Sequence, residues 1–128
     1  MTDTFGPSTI GQILVPVRDA ERATEFYRDR LGMRFLFAFP HMAFFDADGV
    51  RLYLAEPEDA GFNGTATIYF RVPDIQAAFE TLGQRGVEFT EKPHVVHRDG
   101  TNALWMCFAK DLDGNNIGLM AEVPDKGD

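Results

Sequence analysis

The strongest constraint on this chain is a stretch of eight residues that occurs twice. Residues 12–19 read QILVPVRD and residues 67–74 read TIYFRVPD, so the copies stand 55 residues apart. Each copy alternates in hydrophobicity and then reaches an Asp that precedes apolar residues at helical spacing, which predicts a strand running into an N-capped helix. A duplicated strand–helix unit therefore organises the predicted fold.

The alternation also predicts which side chains of each strand pack beneath the helices. In chain order these are Ile13, Val15, Val17, Ile68, Phe70 and Val72. The opposite face carries a mixture of polar, aliphatic and aromatic side chains: Gln12, Leu14, Pro16, Thr67, Tyr69 and Arg71. This second face is the first candidate for a functional surface.

Three further strands are predicted after each helix, with an Asp-Gly hairpin turn at residues 48–49 and a matching Asp-x-Asp-Gly turn at 111–114. The fold class is therefore α+β, with two βαβββ repeats forming a curled mixed sheet. The predicted boundaries are an N-terminal tail at 1–9, a unit at 10–56, a linker at 57–65, a unit at 66–122 and a C-terminal tail at 123–128. The two units together form a single domain, 10–122.

Composition excludes several classes of function. With 128 residues, 45% of them hydrophobic and 25% charged, the chain suits one globular domain. Its net charge of −8 disfavours binding to nucleic acids or to anionic membranes, and favours solubility and tolerance of a cationic ligand. Cys107 lies in an apolar run and predicts a packed thiol. No targeting segment or membrane span is predicted, so a reducing, cytoplasmic setting is expected.

Two fragments are more specific than the rest. One is Val17-Arg18-Asp19 before a helix that contains Phe26-Tyr27 and ends at Leu31-Gly32, and the other is DLDGN at residues 111–115. Together with the duplication, they resemble the vicinal oxygen chelate superfamily, the glyoxalase/bleomycin-resistance/dioxygenase fold, over residues 10–122. The family's Asp-Pro-Asp-Gly-Asn motif carries Leu112 here in place of Pro. The resemblance implies a cupped sheet that holds a ligand and usually a divalent metal, and it implies a homodimer.

The resemblance places metal ligands at four strand positions, which this chain fills with Gln12, Tyr53, Thr67 and Gly118. Metal-dependent members carry His or Glu there. A cation needs carboxylates or imidazoles to offset its lost hydration, and an amide, a phenol, a hydroxyl and a glycine are poor replacements. We therefore expect no metal-ligating residues and no metal site in this chain.

Nearby carboxylates are not expected to rescue a metal site. Glu122 lies four residues beyond Gly118 on the same face of a regular strand, about 13 Å further along. Glu56 lies three residues beyond Tyr53 and should face the opposite way. Neither carboxylate replaces a missing ligand without a bulge.

The histidines have simple explanations as well. His94 and His97 have the spacing of a metal pair, but their rings should point to opposite faces of an extended segment, at the rim or in solvent. His41 is predicted to be a turn residue.

The predicted ligand-binding residues combine aromatic, aliphatic and polar side chains: Gln12, Leu14, Tyr53, Thr67, Tyr69, Arg71, Trp105 and Met120. Arg71 would pair with a carboxylate or phenolate of the ligand. The alternative is an ordinary solvated sheet face, but several of these side chains are too large and apolar to leave in water without a partner.

A Phe stripe at residues 35, 37 and 39 is predicted on one face of its strand. It can form a pocket wall, and a place in the core or in a homodimer seam is favoured slightly over that.

Two functions follow, from different classes. The first is a metal-free homodimeric cup that binds a small aromatic or amphipathic molecule and needs no cofactor. The second is a superfamily lyase, isomerase or dioxygenase, using either a divalent metal held by Gln12 with Glu122 or His94, or Tyr53 and Tyr69 as acid/base groups. A phenol with a pKa near ~10 is a poor base at neutral pH. Stoichiometric metal in the purified protein would favour the enzyme.

Overall fold

The computed structural model describes residues 6–7, 9–58 and 64–125. Most of the predicted N-terminal tail, the middle of the linker and the end of the C-terminal tail lie outside these ranges. The elements in chain order are β1 (Gln12–Pro16), α1 (Ala20–Glu25), β2 (Arg34–Phe39), β3 (Met42–Ala47), β4 (Val50–Ala55), β5 (Thr67–Arg71), α2 (Ile75–Gln84), β6 (Phe89–Arg98), β7 (Asn102–Lys110) and β8 (Asn116–Pro124). The predicted βαβββ repeat is confirmed.

The strands form two four-stranded sheets with the same topology. The orders are β1-β4-β3-β2 and β5-β8-β7-β6, in which the first pair is parallel and the others are antiparallel. The backbone repeats in detail. Arg51 donates its N–H to the carbonyl of Gly11 at 3.0 Å, and Asn116 donates to Ala66 at 2.9 Å in the second unit.

Both helices begin at the predicted Asp residues. The backbone angles of Asp19 (φ −139°, ψ 104°) and Asp74 (φ −139°, ψ 101°) are nearly identical. The Asp19 carboxylate accepts hydrogen bonds from the amides of Glu21 and Arg22, and Asp74 accepts one from Ala77. These bonds satisfy first-turn amides that have no partner within the helix, so each strand leads directly into a helix.

The end of the first helix differs from the predicted regular helix. After Glu25 the chain continues as a π-helical turn over Phe26–Arg30, in which Leu31 donates to the carbonyl of Phe26 at 3.0 Å. Gly32, the predicted end of the helix, then turns the chain with φ +78°, the left-handed conformation that commonly follows a helix. The wider turn holds Phe26 and Tyr27 in the core, where both are buried.

The main core lies against the helix-covered faces of both sheets. It joins residues of both units, including Val15, Leu52, Phe45 and Ile117, to the apolar side of α1. A second cluster lies between α2 and the second sheet, where Cys107 is fully buried as predicted. Burial raises the pKa of its thiol to about 11, which keeps it protonated at neutral pH.

The turn at residues 111–115 fastens the second unit to the first, and we call it the inter-unit latch. Asn115, only 1% exposed, donates through Nδ2 to the carbonyl of Pro16 at 2.8 Å, while its Oδ1 accepts from the amide of Ala66 at 2.7 Å. Within the turn, Asp111 accepts the Asn115 amide at 2.8 Å. One side chain thus joins the end of β1 to the residue before β5.

Two further bonds strengthen the inter-unit latch. The hydroxyl of Tyr27 donates to Oδ2 of Asp111 at 2.8 Å, and the amide of Arg18 donates to Oδ1 of Asp113 at 2.9 Å. Burial, reinforced by the Asp111 carboxylate, raises the pKa of Tyr27 well above its ordinary value. The phenol therefore remains a hydrogen-bond donor throughout the ordinary pH range.

Among the described residues, neither helix has the length and apolar content that a bilayer crossing requires.

Candidate functional site

Each sheet leaves one face uncovered by helices, and the predicted ligand-binding strand residues lie there. In the first unit Leu14 stands opposite Tyr53, and in the second Tyr69 stands opposite Gly118 and Arg71 opposite Met120. Leu14 and Tyr69 are each 51% exposed, although both are large side chains. We call these surfaces the first and second uncovered faces.

The structure does not bring the predicted residues into one group. Within the described residues, no hydrogen-bonded strand pair joins the two sheets. The core that they share lies against their other, helix-covered faces. Gln12, Leu14 and Tyr53 therefore belong to the first uncovered face. Thr67, Tyr69, Arg71 and Met120 belong to the second.

The prediction that Trp105 lines this surface is wrong. Trp105 pairs with Ala121 in β8 and packs against the cluster beneath α2. Its strand neighbours Leu104 and Met106 have the opposite orientation, because successive side chains of a strand alternate. Met106 lies opposite Met120 and belongs to the second uncovered face.

The predicted Phe stripe is split by a β-bulge. Phe35 pairs with the core residue Phe45, but the register shifts before Phe37, which pairs with Phe44. Phe35 therefore turns toward the helix-covered side, while Phe37 and Phe39 lie on the first uncovered face. An extra residue in one strand shifts the following side chains to the other face, and a two-residue period cannot reveal it.

A stack of aromatic rings dominates the first uncovered face. The rings of Phe44 and Tyr53 are parallel, with an interplanar angle of 2° and centroids 4.7 Å apart. Phe37 lies 4.7 Å from Phe44 on the other side, and Phe39 packs 5.6 Å from Phe37. The guanidinium carbon of Arg51 lies 5.4 Å and 5.5 Å from the Phe37 and Phe44 centroids, within the range of cation–π attraction.

Sequence reasoning missed Phe44 and Arg51, although a signal for Phe44 was present. The two-residue turn Asp48-Gly49 pairs Ala47 with Val50 and therefore Phe44 with Tyr53. Tyr53 was already predicted to face the ligand. Counting back from the turn would have placed Phe44 beside it.

The second uncovered face shows why position 118 does not suit a metal ligand. A Cβ at Gly118 would lie 2.8 Å from Cδ1 of Tyr69 and 3.1 Å from Cε1 of Phe108. These two rings pack edge to face, with centroids 5.8 Å apart. The space that a ligating side chain would use is filled by aromatic carbon.

Thr67 is also engaged in other contacts. Its hydroxyl accepts a hydrogen bond from Asn116 at 3.0 Å, and Asn116 in turn accepts one from the ammonium of Lys110 at 3.1 Å. A cation so close opposes the binding of a second one. In the described part of the chain no three His, Cys, Asp or Glu side chains are grouped to hold a metal. The donors at these positions do not fit a divalent cation.

The expected orientation of the two β6 histidines is wrong. His94 pairs with Met106 and His97 with Leu104, and a register shift between Val95 and His97 places both on the second uncovered face. Glu91 Oε1 lies 3.6 Å from Nε2 of His94. Glu122 shares this face as well, since it also pairs with Leu104.

His41 is a turn residue as predicted, but it also has a partner that the sequence did not reveal. Its Nδ1 lies 2.9 Å from Oε1 of Glu56, and Oε2 of Glu56 accepts the amide of Ala20 at 3.0 Å. The backbone of Glu56 donates to the carbonyl of His41 at 3.1 Å. Glu56 was expected to face away from Tyr53, but it contacts α1 with one oxygen and His41 with the other, and it lines the same cavity as Tyr53.

A cavity of about 710 Å³ lies beside this pair on the first unit. Its lining is largely apolar, with a few ionisable groups: Leu14, Pro16, Pro40, His41, Met42, Tyr53, Ala55, Glu56, Pro57 and Glu58. The amide of Ala20 and the ring of His41 lower the pKa of Glu56. The carboxylate is therefore ionised and accepts, so Nδ1 of His41 donates.

Comparison with known proteins gives one family. The model of the Glyoxalase/Bleomycin resistance protein/Dioxygenase superfamily matches residues 9–119. No curated protein sequence matches the chain.

Solved structures share the fold. A lactoylglutathione lyase from Agrobacterium tumefaciens is 20% identical with a TM-score of 0.75, covering 91% of this chain and 95% of its own. A superfamily member from Sphaerobacter thermophilus is 25% identical with a TM-score of 0.73, covering 90% and 98%. A protein from Nocardioides is 22% identical with a TM-score of 0.75, covering 98% and 89%. With the family model spanning both βαβββ units, the chain belongs to the glyoxalase/bleomycin resistance protein/dioxygenase superfamily.

Proposed function

We propose that this protein is a glyoxalase/bleomycin-resistance-like homodimer whose aromatic-lined surface binds a small organic molecule without a divalent metal. The observation that carries the proposal is the ring stack of Phe37, Phe39, Phe44 and Tyr53 on the first uncovered face. Planar aromatic molecules stack favourably on such rings. A setting in the reducing cytoplasm belongs to the same proposal and is consistent with the buried, protonated thiol of Cys107.

The neighbouring cavity supports a guest of moderate size. Its volume of about 710 Å³ is within the range of small-molecule sites, and apolar side chains supply most of its lining. Glu56 and Glu58 line one side, and the chain carries a net charge of −8. Both features favour a guest that combines an aromatic ring with a positive charge.

The homodimer is supported by the apolar side chains that a single chain leaves open. Leu14 and Tyr69 are each 51% exposed and Phe39 is 59% exposed, all on the uncovered faces. In a dimer, the first face of one copy can close over the second face of its partner. Arg71 and Met120 of the second face would then complete the site opposite Tyr53.

A metal-dependent lyase, isomerase or dioxygenase is the alternative, and the residues give it little support. The rings of Tyr69 and Phe108 fill the space above Gly118, and Lys110 and Asn116 engage the surroundings of Thr67. Chemistry of that kind needs a Lewis acid at a developing oxyanion. We therefore favour binding over metal-dependent catalysis.

Thermal unfolding with a panel of small aromatic amines tests the binding proposal. A guest at ~100 times its Kd adds ~2.7 kcal/mol to the free energy of unfolding, which raises Tm by several degrees. Tyr53→Ala should abolish the shift, while Leu112→Ala, an exposed position in the latch turn, should retain it. EDTA, Zn²⁺ and Mn²⁺ should leave Tm unchanged. A metal-dependent Tm, or no response to any amine, would contradict the proposal.

Light scattering after gel filtration tests the dimer. The wild-type chain should elute with twice the mass of 14.3 kDa. Leu14→Glu should yield monomers, because a charge buried in an apolar interface loses its hydration. Val96→Glu on β6, also at an exposed apolar position, is the matched control and should remain dimeric. A wild-type monomer at high concentration would rule out the homodimer.

A further inference from the structure

A row of side chains across the second uncovered face combines one imidazole with two thioethers. His94 of β6 pairs with Met106 of β7, and Met106 pairs with Met120 of β8. Cross-strand partners on one face of a sheet have Cβ atoms about 5 Å apart. His94 and Met120 are long side chains on either side of Met106, so the donor atoms of all three can converge above it. None of the three stands at the four strand positions considered above for a divalent metal.

The imidazole of His94 has a defined tautomer. Its Nδ1 lies 2.7 Å from the carbonyl oxygen of Lys92, which can only accept, so Nδ1 donates. In the neutral ring Nε2 then carries the lone pair. Histidine ligands of metals are commonly fixed by a bond of this kind from the other ring nitrogen to a backbone carbonyl. His94 is therefore oriented as a metal ligand would be.

A second acceptor faces this lone pair. Oε1 of Glu91 lies 3.6 Å from Nε2 of His94. A carboxylate oxygen and the lone-pair nitrogen of a neutral imidazole both accept, so they are held together only by a positive ion that both contact, either a proton or a metal cation. The net charge of −8 on the chain adds to the attraction of a cation. The pair is therefore suited to hold a positive ion.

The thioethers determine which metal ion suits the row. Thioether sulfur is a soft donor that selects Cu(I), and imidazole suits copper as well, whereas Zn²⁺ and Mn²⁺ prefer thiolate, imidazole or carboxylate ligands. Arg71 pairs with Met120 at the far end of the row. Its positive charge opposes a divalent ion more strongly than a monovalent one. Both the donors and the charge therefore favour Cu(I).

We propose that His94, Met106 and Met120 form a binding site for Cu(I), with the carboxylate of Glu91 offsetting the charge of the ion. Nε2 of the histidine and the two sulfur atoms are the ligands. Met120 also belongs to the proposed guest site, but binding of Cu(I) requires neither the aromatic guest nor the dimer.

NMR spectra of isotope-labelled methionine methyl groups, recorded during an anaerobic titration of the full chain with Cu(I) and ascorbate, test the proposal. The signals of Met106 and Met120 should shift and saturate at one copper ion per chain, because each methyl group is bonded to a ligating sulfur. Met33 packs against the main core and Met42 begins β3, so their signals should not move. Unmoved signals of Met106 and Met120 would overturn the proposal.

Two substitutions identify the ligands. His94→Asn removes the imidazole at a half-exposed position, and Met106→Leu removes a sulfur with little change in volume, so both variants should fold. Loss of a group that only orients a metal ligand already lowers affinity about 10–100-fold, so loss of a ligand should weaken Cu(I) binding at least ~10-fold. The methyl signal of Met120 reports the affinity in both variants.

His97→Asn is the matched control. His97 lies on the same strand and the same face, but its row contains Leu104 and Glu122 in place of the two methionines. Its substitution should leave the affinity for Cu(I) unchanged. Equal weakening by His94→Asn and His97→Asn would assign the ion to a pair of histidines. Unchanged affinity in both His94→Asn and Met106→Leu would assign it elsewhere, for example to the thiol of Cys107. Either result overturns the proposal.

Discussion

Replacing Asn115 by alanine is expected to lower the free energy of unfolding by ~3 kcal/mol. The side chain is 1% exposed and bonds the carbonyl of Pro16 and the amide of Ala66, which belong to different units. Alanine leaves both backbone groups without their partner, and each such loss costs about 1–3 kcal/mol. Urea unfolding followed by circular dichroism should show a midpoint at least ~1 M lower.

The adjacent residue provides a matched control. Asn116 is also an asparagine with two side-chain bonds, but both of these bonds are exposed. Asn116→Ala should therefore cost less than ~1 kcal/mol. Equal effects at the two positions would mean that the inter-unit latch contributes nothing specific to stability.

Replacing Phe44 by alanine is expected to cost ~3 kcal/mol and to abolish binding of the aromatic guest. Phe44 is 8% exposed and lies between Phe37 and Tyr53 in the ring stack, with the guanidinium of Arg51 above it. Its removal leaves a cavity in the middle of the stack, and large-to-small changes of this kind cost about 3–5 kcal/mol in a core. Urea unfolding and the thermal shift with the amine panel measure the two effects.

Phe39→Ala distinguishes the contribution of the ring stack to the stability of the protein from its contribution to guest binding. Phe39 belongs to the same stack but is 59% exposed, so its loss should change the free energy of unfolding by less than ~1 kcal/mol. A guest that binds Phe39→Ala and the wild type equally, but not Phe44→Ala, would place the contact at the centre of the stack. Full stability of Phe44→Ala would contradict the packing described here.

Much of the fold was predictable, because it follows from the hydrophobic periodicity of the strands and the N-cap residues of the helices. The alternation at residues 12–17 and 67–72 placed Val15 and Phe70 beneath the helices, and both Asp caps form as predicted. The glycine at position 32 has the positive φ that its place after a helix indicated. These features depend on neighbours in the chain, which the sequence displays directly.

The errors arise where a strand departs from regular pleating. A bulge between Phe35 and Phe37 and another between Val95 and His97 each change which face a side chain occupies. Trp105 was predicted to line the pocket, whereas alternation within β7 turns it toward α2. Bulges and cross-strand partners are set by tertiary packing, so a period of two could not reveal them.

The contact between His41 and Glu56 could not be predicted from the sequence, for a related reason. The two residues are 15 positions apart and meet only when the β2–β3 turn folds over the end of β4. Each side chain alone has an ordinary explanation as a turn residue or a strand end. Their contact appears only once the register of β3 with β4 is known.

The inter-unit latch also shows how far the two repeats have diverged. Sixty-five residues before DLDGN, the first unit carries DADGV, so that Val50 stands where the second unit has Asn115. The side chain of valine has no amide group and cannot make the bond that Asn115 makes. At this turn, the inter-unit latch is therefore formed by the second unit and not by the first. The halves of this duplicated chain are no longer equivalent copies, because at this turn the later half provides the side chain that fastens the two units together. The first half expressed alone would consequently lack Asn115, and the second half would lack the Pro16 carbonyl that Asn115 binds.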